Sequence, residues 1–441
     1  MDLWKKKTKN LTSENMQKKI ILIIIFIFLL PLMAKAIEPA VENTTYNLEQ
    51  CISIALEKHP SLKASAGAIK VNESKVGQAQ ANYYPQVDLS TSYQRSGSIS
   101  TPGNTLNSYD QYSTGVNLGI TLFDFGKTTT QVKIQDLNVN ASRADYENVK
   151  AQIVQNVKNA YYNLLQTQRN LIVAVDTMQQ FQQHLDQANA FFHIGTKPKF
   201  NVTKAQVDFG NAKLSVLKAE NAVRAARITL KDVMGIPENA DFAIVDNLDF
   251  QKRELKLNDI LNKAYSNRPD LSSIIAKREA AESSIELAQK GYFPTLSGSA
   301  GYGYSGTDFP LGNGWNAGAT LSFPLFSGLS TKYQVDEANA NLEILKANEA
   351  SIRQAISLDV QQAYLNAQDA AEQISVAEMT VLQATENYDL ASGRYRTGVG
   401  SPIEVADATI TLNNARAALN SALYNNKIAQ AALEKSIGAK P

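Results

Sequence analysis

Two stretches without proline, residues 128–193 and 331–396, constrain the fold of this chain more than any other feature. The two stretches are equally long. An α-helix rises about 1.5 Å per residue, so each stretch predicts roughly 100 Å of uninterrupted helix. Helices in compact globular domains are typically about a fifth of that length. The sequence therefore predicts an elongated helical part rather than a globule.

Apolar side chains recur in both stretches at alternating spacings of three and four residues, which is the pattern of coiled-coil packing. In the first stretch they are Val154, Val157, Tyr161, Leu164, Leu171, Val175, Met178 and Leu185, and in the second they run from Val335 to Tyr388. Asn and Gln recur on the other faces, as the wall of a water-filled tunnel would require. A solid coiled-coil rod is the alternative that this pattern leaves open.

The chain also contains an internal repeat. Tyr84-Pro85 resembles Phe293-Pro294, and Leu122-Phe123 matches Leu325-Phe326 at a slightly smaller offset. We therefore predict two copies of one unit, residues 37–236 and 258–441, joined by a polar linker at 237–257. Each copy should hold short helices, two strands and a long helical hairpin, at 128–234 in the first copy and at 331–437 in the second.

Four segments alternate apolar and polar side chains and predict strands at about 86–96, 112–123, 295–304 and 315–326. In the first, Val87, Leu89 and Tyr93 alternate with Asp88 and Ser90. About ten residues of this pattern, with aromatic residues near the ends, are typical of a transmembrane barrel strand. For any single strand, the alternative is a strand of a soluble sheet that has one solvent-exposed face. The polar segments 97–111 and 305–314 are predicted to be the outer loops.

Four strands cannot close a barrel. A bilayer leaves no place for an open sheet edge, and about eight strands make the smallest barrel that closes. Other copies of the chain must therefore complete the sheet. Two copies would give eight strands and three would give twelve, and only the latter leaves a wide lumen.

The N-terminus has the order of a secretory signal peptide, predicted at residues 1–36. Lys18 and Lys19 precede an apolar run at 20–30, and the small-residue site Ala34-Lys35-Ala36 follows. A membrane anchor is the alternative, but the run is shorter than the roughly 20 residues of a spanning helix. Translation could start at Met1 or at Met16.

Composition excludes several functional classes. A net charge of +1, from 43 basic and 42 acidic residues, argues against a nucleic-acid partner. The single Cys51 excludes an intrachain disulfide and is expected to be a buried, unreactive thiol. The three histidines form no ligand pair, and we find no nucleophile motif or phosphate-binding loop. We therefore expect no cofactor, no metal and no enzymatic activity.

Tight turns are predicted between the helices of each hairpin. Gly398 suits a helix C-terminus that needs a positive φ, and Ser401-Pro402-Ile403-Glu404 predicts a capping box with proline at the first helical position. The first copy has Gly195-Thr196-Lys197-Pro198 at the same place, without the Ser/Glu pair.

These features together resemble the TolC family of trimeric outer-membrane efflux and secretion channels, over roughly residues 46–438. The resemblance rests on His59-Pro60 and Arg268-Pro269, Tyr84-Pro85 and Phe293-Pro294, Leu122-Phe123-Asp124-Phe125-Gly126 and Leu325-Phe326-Ser327-Gly328, and the turn from Gly398 to Glu404-Val405 followed by Asn414-Ala415. It implies a mixed α/β membrane protein: a homotrimeric twelve-stranded barrel in the outer membrane, continued by a coiled-coil tunnel through the periplasm.

The resemblance also implies partners and sites. The partners are a periplasmic adaptor protein, an inner-membrane transporter of RND, ABC or MFS type, and outer-membrane lipid. Acidic residues near the helix tips narrow the family's periplasmic mouth, and Asp389 and its counterpart Asp186 are the gate candidates; solvated positions on a polar helix face are the alternative. The candidates for adaptor docking are Gly195, Lys197, Lys199, Arg394, Arg396, Gly398, Ser401 and Glu404. For the basic candidates the alternative is that they are ordinary exposed residues, which the helix dipole favours at a helix C-terminus.

The competing class is a protein without a pore, either a periplasmic adaptor or a rod-like adhesin. An adaptor would carry one helical hairpin flanked by small soluble β domains, whereas this sequence predicts two hairpins and strands of membrane-spanning length.

Overall fold

The computed structural model describes residues 44–100, 105–237, 242–246 and 256–439. The predicted signal peptide, residues 1–36, lies outside the described residues, as does much of the predicted linker. The described residues fall into two units: residues 44, 242 and 243 belong to one unit, and the remaining described residues belong to the other.

The described elements follow the same order in the two repeats. The first repeat has β1 (Thr44–Tyr46), α1 (Leu48–Lys58), α2 (Pro60–Gln80), β2 (Gln86–Ser100), β3 (Thr105–Phe123), α3 (Lys127–His193) and α4 (Lys199–Met234). The second has β4 (Phe242–Ile244), α5 (Leu257–Asn267), α6 (Pro269–Gln289), β5 (Thr295–Gly306), β6 (Gly312–Ser322), α7 (Ser330–Arg396) and α8 (Pro402–Ser436). A short 3₁₀ turn precedes β2 and another precedes β5.

The two longest helices, α3 and α7, have 67 residues each and occupy equivalent places in the two repeats. No proline interrupts either helix, as the sequence predicts. Each forms a hairpin with the helix that follows it. Phe181 of α3 packs against Ala212 of α4, and Ala384 of α7 packs against Leu412 and Ala415 of α8. Ala384 belongs to the predicted three-four spacing, whereas Phe181 lies outside the predicted stripe of α3.

The shorter helices abut end to end. Gly235 ends α4 with a φ of 65°, and a Cβ atom there would lie 3.3 Å from the Cα atom of His59, which caps α2. Gly438 follows α8 with a φ of 66°, and a Cβ atom there would lie 2.8 Å from the carbonyl carbon of Asn267. Only glycine permits both the positive φ and this close approach. The α4–α2 and α8–α6 pairs are therefore interrupted counterparts of α3 and α7.

The barrel strands form one antiparallel sheet in the order β2-β3-β5-β6. Its register sorts the side chains by polarity. On one face Val87 is paired with Leu118, and Val116 with Tyr302, which in turn pairs with Trp315. The sheet therefore has one apolar face along all four strands.

The other face of the same sheet is polar. Asp88 is paired with Asn117, Asn117 with Gly301, and Gly301 with Asn316. Small side chains are required here, because a Cβ atom on Gly301 would lie 2.6 Å from the Oδ1 atom of Asn316.

Strand ends differ from the prediction in several places. Most of the predicted loop at 97–111 belongs to β2 and β3, because cross-strand pairs such as Arg95 with Asp110 and the rings of Tyr93 and Tyr112 continue the ladder. β6 begins at Gly312 rather than at 315. It ends at Ser322 rather than at 326, since Pro324 has no N–H group to donate. β4 lies within the predicted linker.

Two lysines join the repeats where strands meet helices. Lys127 Nζ donates to the carbonyl of Phe293 at 3.0 Å and to Thr295 Oγ1 at 3.2 Å. Lys290 Nζ donates to the carbonyl of Gly126 at 3.1 Å. Each repeat thus anchors a junction between a helix and a strand of the other.

Cys51 lies buried in α1, and burial raises the pKa of its thiol to about 11. A thiol with that pKa is almost fully protonated at neutral pH, which makes it a poor nucleophile. Separately, none of the helices in the described part of the chain is long and apolar enough to cross a membrane.

Candidate functional site

The two hairpins meet along a seam between α3 and α8 in which polar side chains pair with one another. Gln166 Nε2 donates to Ser421 Oγ at 3.0 Å, and Asn420 Nδ2 donates to Asn170 Oδ1 at 2.9 Å. Lys158 Nζ lies 2.6 Å from a carboxylate oxygen of Glu434. The sequence pattern predicts a water-lined wall for the Asn and Gln residues. Several of them instead hold the hairpins together.

Close to the helix tips, the seam becomes aromatic. The rings of His184 on α3 and Tyr395 on α7 lie 4.8 Å apart, and Phe191 meets Tyr395 edge-on at 5.6 Å. Tyr395 also packs against Val405 and Ala408 of α8. This cluster connects both hairpins less than three helical turns from the point where α3 ends at His193.

The cluster buries two polar atoms without hydrogen-bond partners among the described residues, His184 Nδ1 and the Tyr395 hydroxyl. His184 is 5% exposed and Tyr395 is 1% exposed. Burial lowers the pKa of His184; the carboxylate of Asp208 opposes this shift, and Lys204 adds to it. Both of these charges lie on α4, where they pair with each other at 2.6 Å. An imidazolium at this position would have little compensation, so the packed state favours neutral His184.

The two hairpin turns repeat the same backbone geometry. The N–H of Gly195 donates to the carbonyl of Phe192 at 3.0 Å, and the N–H of Gly398 donates to the carbonyl of Tyr395 at 3.0 Å. Their φ angles are 74° and 83°, as expected where a helix ends in the left-handed region. In the second turn, Gly400 also donates to the carbonyl of Arg394 at 2.9 Å.

The predicted capping box is only half formed. Ser401 Oγ accepts the N–H of Ile403 at 3.2 Å and caps α8. Glu404 does not return a hydrogen bond to Ser401. Its carboxylate lies 3.8 Å from Arg394 across the turn, where it finds an opposite charge. The predicted capping box is therefore wrong in its second hydrogen bond, from Ser401 to Glu404, whereas the N-cap formed by Ser401 is present.

The remaining tip candidates surround the turns. Lys199 begins α4 and is exposed, Lys197 lies half-buried in the turn, and Arg396 ends α7 and is exposed. Large apolar side chains are exposed among them, namely Ile194, Phe200 and Val399. Each tip thus combines positive charge with uncovered apolar surface.

The two gate candidates occupy equivalent positions on α3 and α7. Asp186 and Asp389 are both exposed and lie seven residues before the ends of their helices, which is about 10 Å along the axis. Asp186 Oδ1 accepts a hydrogen bond from Gln182 at 2.9 Å. Within the described residues, Asp389 has no hydrogen bond or ion pair. Neither carboxylate joins one hairpin to the other.

Comparison with known proteins identifies the architecture. A family model described as "Outer membrane efflux protein" matches residues 51–236 and 260–439, one segment for each repeat. This chain belongs to the outer membrane efflux protein family. The match covers both hairpins and all four barrel strands.

Individual relatives agree with this assignment. The chain is 25% identical to the outer membrane protein TolC of Escherichia coli K12 over 409 residues, which cover 89% of this chain and 82% of that protein. It is 22% identical to the cation efflux system protein CusC of the same strain, over 88% of this chain and 85% of CusC. The crystal structure of the Campylobacter jejuni CmeC outer membrane channel shares the fold, with a TM-score of 0.78 and 19% identity over 89% of this chain and 85% of CmeC.

These findings confirm the predicted fold class and location. The protein has the fold of a TolC-type outer-membrane efflux channel, and each chain contains four barrel strands and two long helical hairpins. Its predicted location in the outer membrane is confirmed as well. Closure of the barrel is a contact between chains, so a single chain shows only an open sheet with its edges at β2 and β6.

The sequence pattern does not predict the His184–Tyr395 cluster, because a contact between α3 and α7 leaves no signal in sequence spacing. The polar seam does leave a signal: Gln166 and Asn170 are four residues apart and so share a helix face.

The buried histidine predicts a pH-dependent stability. Since the pKa of His184 is lowered in the packed state, the unpacked state binds the proton first as the pH falls below about 6.5, and the packed state loses stability. We expect His184→Gln to flatten the fall in the guanidinium midpoint, measured by circular dichroism, between pH 7.5 and pH 5. The matched control is His193→Gln, at an exposed tip position, which should keep the wild-type slope. Equal slopes for wild type and His184→Gln would contradict the assignment.

Proposed function

We propose that this protein is the passive exit duct of a tripartite efflux or type I secretion system. It would carry substrates across the periplasm and the outer membrane while an inner-membrane pump supplies the energy. The observation that carries this proposal is the sheet with one mainly apolar face and two unpaired edges, continued by two long hairpins. The apolar face suits contact with outer-membrane lipid, and the polar face suits a water-filled lumen.

A duct needs a continuous bore, and three copies of this chain would provide it. Twelve strands leave a lumen wide enough for solutes, and six hairpins supply a wall of paired helices. Catalysis has no part in such a function. We infer that the protein performs no chemical step and that it needs no cofactor.

The duct proposal has a direct test. Purified from outer membranes in mild detergent, the protein should run as a heat-resistant trimer and produce discrete conductance steps in planar lipid bilayers. The alternative, an adaptor or rod-like adhesin, would instead be recovered from the periplasmic or surface fraction and give no conductance. A variant with a proline in the middle of β3, Val116→Pro, is a matched negative control, because it removes a ladder hydrogen bond from a central strand.

Asp186 and Asp389 are the proposed gate residues at the periplasmic mouth. In a trimer they would form two rings of three carboxylates each. Support comes from their equivalent positions in the two repeats and from their exposure near the helix ends. A ring of carboxylates in a narrow passage holds cations and disfavours anions.

The double variant Asp186→Asn with Asp389→Asn should raise the single-channel conductance and weaken block by trivalent cations. Loss of two carboxylate rings should weaken the block about tenfold or more, which corresponds to about 1.4 kcal/mol. Glu343→Gln is the control, since Glu343 lies on α7 far from the tip and pairs with Lys346. Currents and blocker affinity that match wild type in the double variant would refute the gate assignment.

The tips would dock onto a periplasmic adaptor, and the adaptor would connect them to a transporter of RND, ABC or MFS type. The basic side chains of Lys197, Lys199, Arg394 and Arg396 lie beside exposed apolar residues there, and interfaces commonly combine such features. The glycines of the turns and the Ser401 cap would hold the tips in shape, and Glu404 would orient Arg394.

Charge reversal at the first tip tests the docking proposal. Lys197→Glu with Lys199→Glu should abolish co-purification with a periplasmic adaptor from the same cells, while trimer formation and bilayer conductance remain. Reversal of Lys213, an exposed lysine of α4 about 20 Å from the tip, is the control. Unchanged co-purification in the tip variant would argue against these residues.

A further inference from the structure

The end of the barrel sheet that lies furthest from the helices carries charge on its otherwise apolar face. The four barrel strands contain three charged residues, Asp88, Arg95 and Asp110. Asp88 lies on the polar face, whereas Arg95 and Asp110 pair across β2 and β3 on the apolar face. A charge on the lipid-facing side of a barrel is costly at the middle of the bilayer and tolerated near its borders. This pair therefore marks the level at which the sheet leaves the hydrocarbon.

The spacing of aromatic residues along β3 gives the same level. Phe123, at the end of β3 next to the helices, and Tyr112 are eleven residues apart. This separation is about 37 Å along a strand and, at a tilt of about 40°, about 28 Å across the membrane. The apolar band of outer-membrane barrels is about 25 Å tall and has aromatic residues at both borders. Tyr112 therefore lies at the outer border, and Arg95 and Asp110 lie just beyond it.

Three aromatic rings form a row at this border. The rings of Tyr93 and Tyr112 lie 5.1 Å apart, and the ring of Phe309, in the loop between β5 and β6, lies 5.1 Å from that of Tyr112. Phe309 is nevertheless 73% exposed, and Tyr93 is 58% exposed. The row therefore presents uncovered aromatic surface, and exposed apolar surface that is bordered by polar groups commonly marks a binding site.

Hydrogen-bonding groups with spare capacity border the aromatic row. Asp110 Oδ1 accepts a hydrogen bond from the hydroxyl of Tyr93 at 2.8 Å, and Asp110 Oδ2 has no partner among the described residues. The guanidinium of Arg95 donates to Ser108 Oγ at 3.3 Å. Its Nε lies 3.8 Å from Asp110, which is a loose ion pair at the surface. A guanidinium has five N–H groups, so most of the donors of Arg95 are available to a ligand.

This combination of groups suits an uncharged sugar ring. The C–H groups of a sugar pack on an aromatic face, and its hydroxyls donate to a carboxylate and accept from a guanidinium. Hydrogen bonds to charged groups are stronger than those between neutral groups. A phosphate fits less well, because Asp110 balances the single positive charge of Arg95 and a second carboxylate, that of Asp308, precedes Phe309.

The rim patch consists of Tyr93, Arg95, Asp110, Tyr112 and Phe309, and its position identifies the source of the sugar. The patch continues the lipid-facing side of the sheet, and the proposed duct places the hairpins at the opposite end of the sheet in the periplasm. The patch therefore borders the outer leaflet of the outer membrane, where glycolipids carry sugars directly above the hydrocarbon. Pairing of another copy with the edge of β2 extends the sheet sideways and leaves this face open.

We propose that Tyr112 and Phe309 form a stacking platform for a sugar of the outer-leaflet glycolipid, whose hydroxyls bond to Asp110 and Arg95. The inference rests on the proposed duct, which fixes the direction of the sheet in the membrane. A glycolipid is confined to the leaflet beside the patch, so its effective concentration is high and a weak intrinsic affinity is sufficient. The bound sugar would tie the rim of the barrel to the surrounding leaflet.

Phe309→Ala tests the platform in the full-length protein purified in detergent. The probes are lipopolysaccharide from the same cells and the oligosaccharide that is released from it by removal of its lipid. The variant should bind both probes about tenfold more weakly than wild type, measured by microscale thermophoresis, because it loses the aromatic face. Phe309→Trp keeps an aromatic face and should bind like wild type. Phe309 lies outside the strands, so neither change removes a ladder hydrogen bond.

Two further measurements separate the sugar from other ligands and the rim from other aromatic residues. Phe326→Ala should leave both affinities unchanged, because Phe326 is 82% exposed but follows β6 at the end next to the helices. Asp110→Asn removes the charged acceptor and should weaken binding about threefold or more. Inorganic phosphate should not displace the oligosaccharide.

The platform would be overturned by an oligosaccharide that does not bind, by an unchanged affinity in Phe309→Ala, or by an equal loss in Phe326→Ala. Displacement by inorganic phosphate would also overturn it and would indicate a phosphate site. Conducting channels that fail to bind the sugar would leave the duct intact.

Failure of the duct itself has a different signature. On intact cells, Asp308→Cys should react with a maleimide attached to a polymer too large to cross the outer membrane, whereas Glu343→Cys on α7 should not. The native Cys51 is buried and should not react. Reversed labelling, or a wild-type protein without conductance in planar bilayers, would overturn the duct and its orientation, and with them the assignment of the sugar to the outer leaflet.

Discussion

The unpaired backbone groups along β2 and β6 dictate the rest of this architecture. In hydrocarbon, each amide or carbonyl group without a partner costs several kcal/mol, so a four-stranded sheet with an apolar face cannot exist in a bilayer alone. The chain therefore depends on its own copies before it depends on any other protein. The hairpins also depend on assembly of several copies. Each hairpin follows a strand of that sheet in the chain, so the position of the strand determines the position of the hairpin.

The internal duplication gives the chain two long helical hairpins of the same design. The seam between them is mixed in chemistry. It pairs amides, such as Asn170 with Asn420, and it also contains the ion pair of Lys158 with Glu434. The two copies of the unit have therefore diverged in their side chains while they keep the same helix and strand order.

Much of the fold is predictable from the sequence, and the reason is periodicity. The absence of proline and the three-four spacing define α3 and α7 almost to the residue, and the two-residue alternation identifies which strand residues share a face. Strand ends were less predictable. The polar residues 97–111 look like a loop in composition, and only pairing with the opposite strand shows that most of them extend the ladder.

The candidate site was predictable only in part. Glycines with positive φ at 195 and 398 and the Ser401 cap follow from local chemistry. The position of the Glu404 side chain does not follow from local chemistry, because Arg394 across the turn competes for its carboxylate. The contact of His184 with Tyr395 does not follow either, because the two residues lie on helices of different repeats. Long-range contacts of this kind leave no local pattern. The roles of Asp186 and Asp389 stay predictions, since they concern a mouth that forms only when chains assemble.

The polar face of the sheet has one more consequence. Its described strand residues are mostly glycine, serine and asparagine, and Asp88 is the single carboxylate among them. Such a face offers a passing solute few long side chains to bind it and almost no fixed charge to attract or repel it. The membrane-spanning part therefore contributes little to selectivity, and substrates must be selected before they reach it.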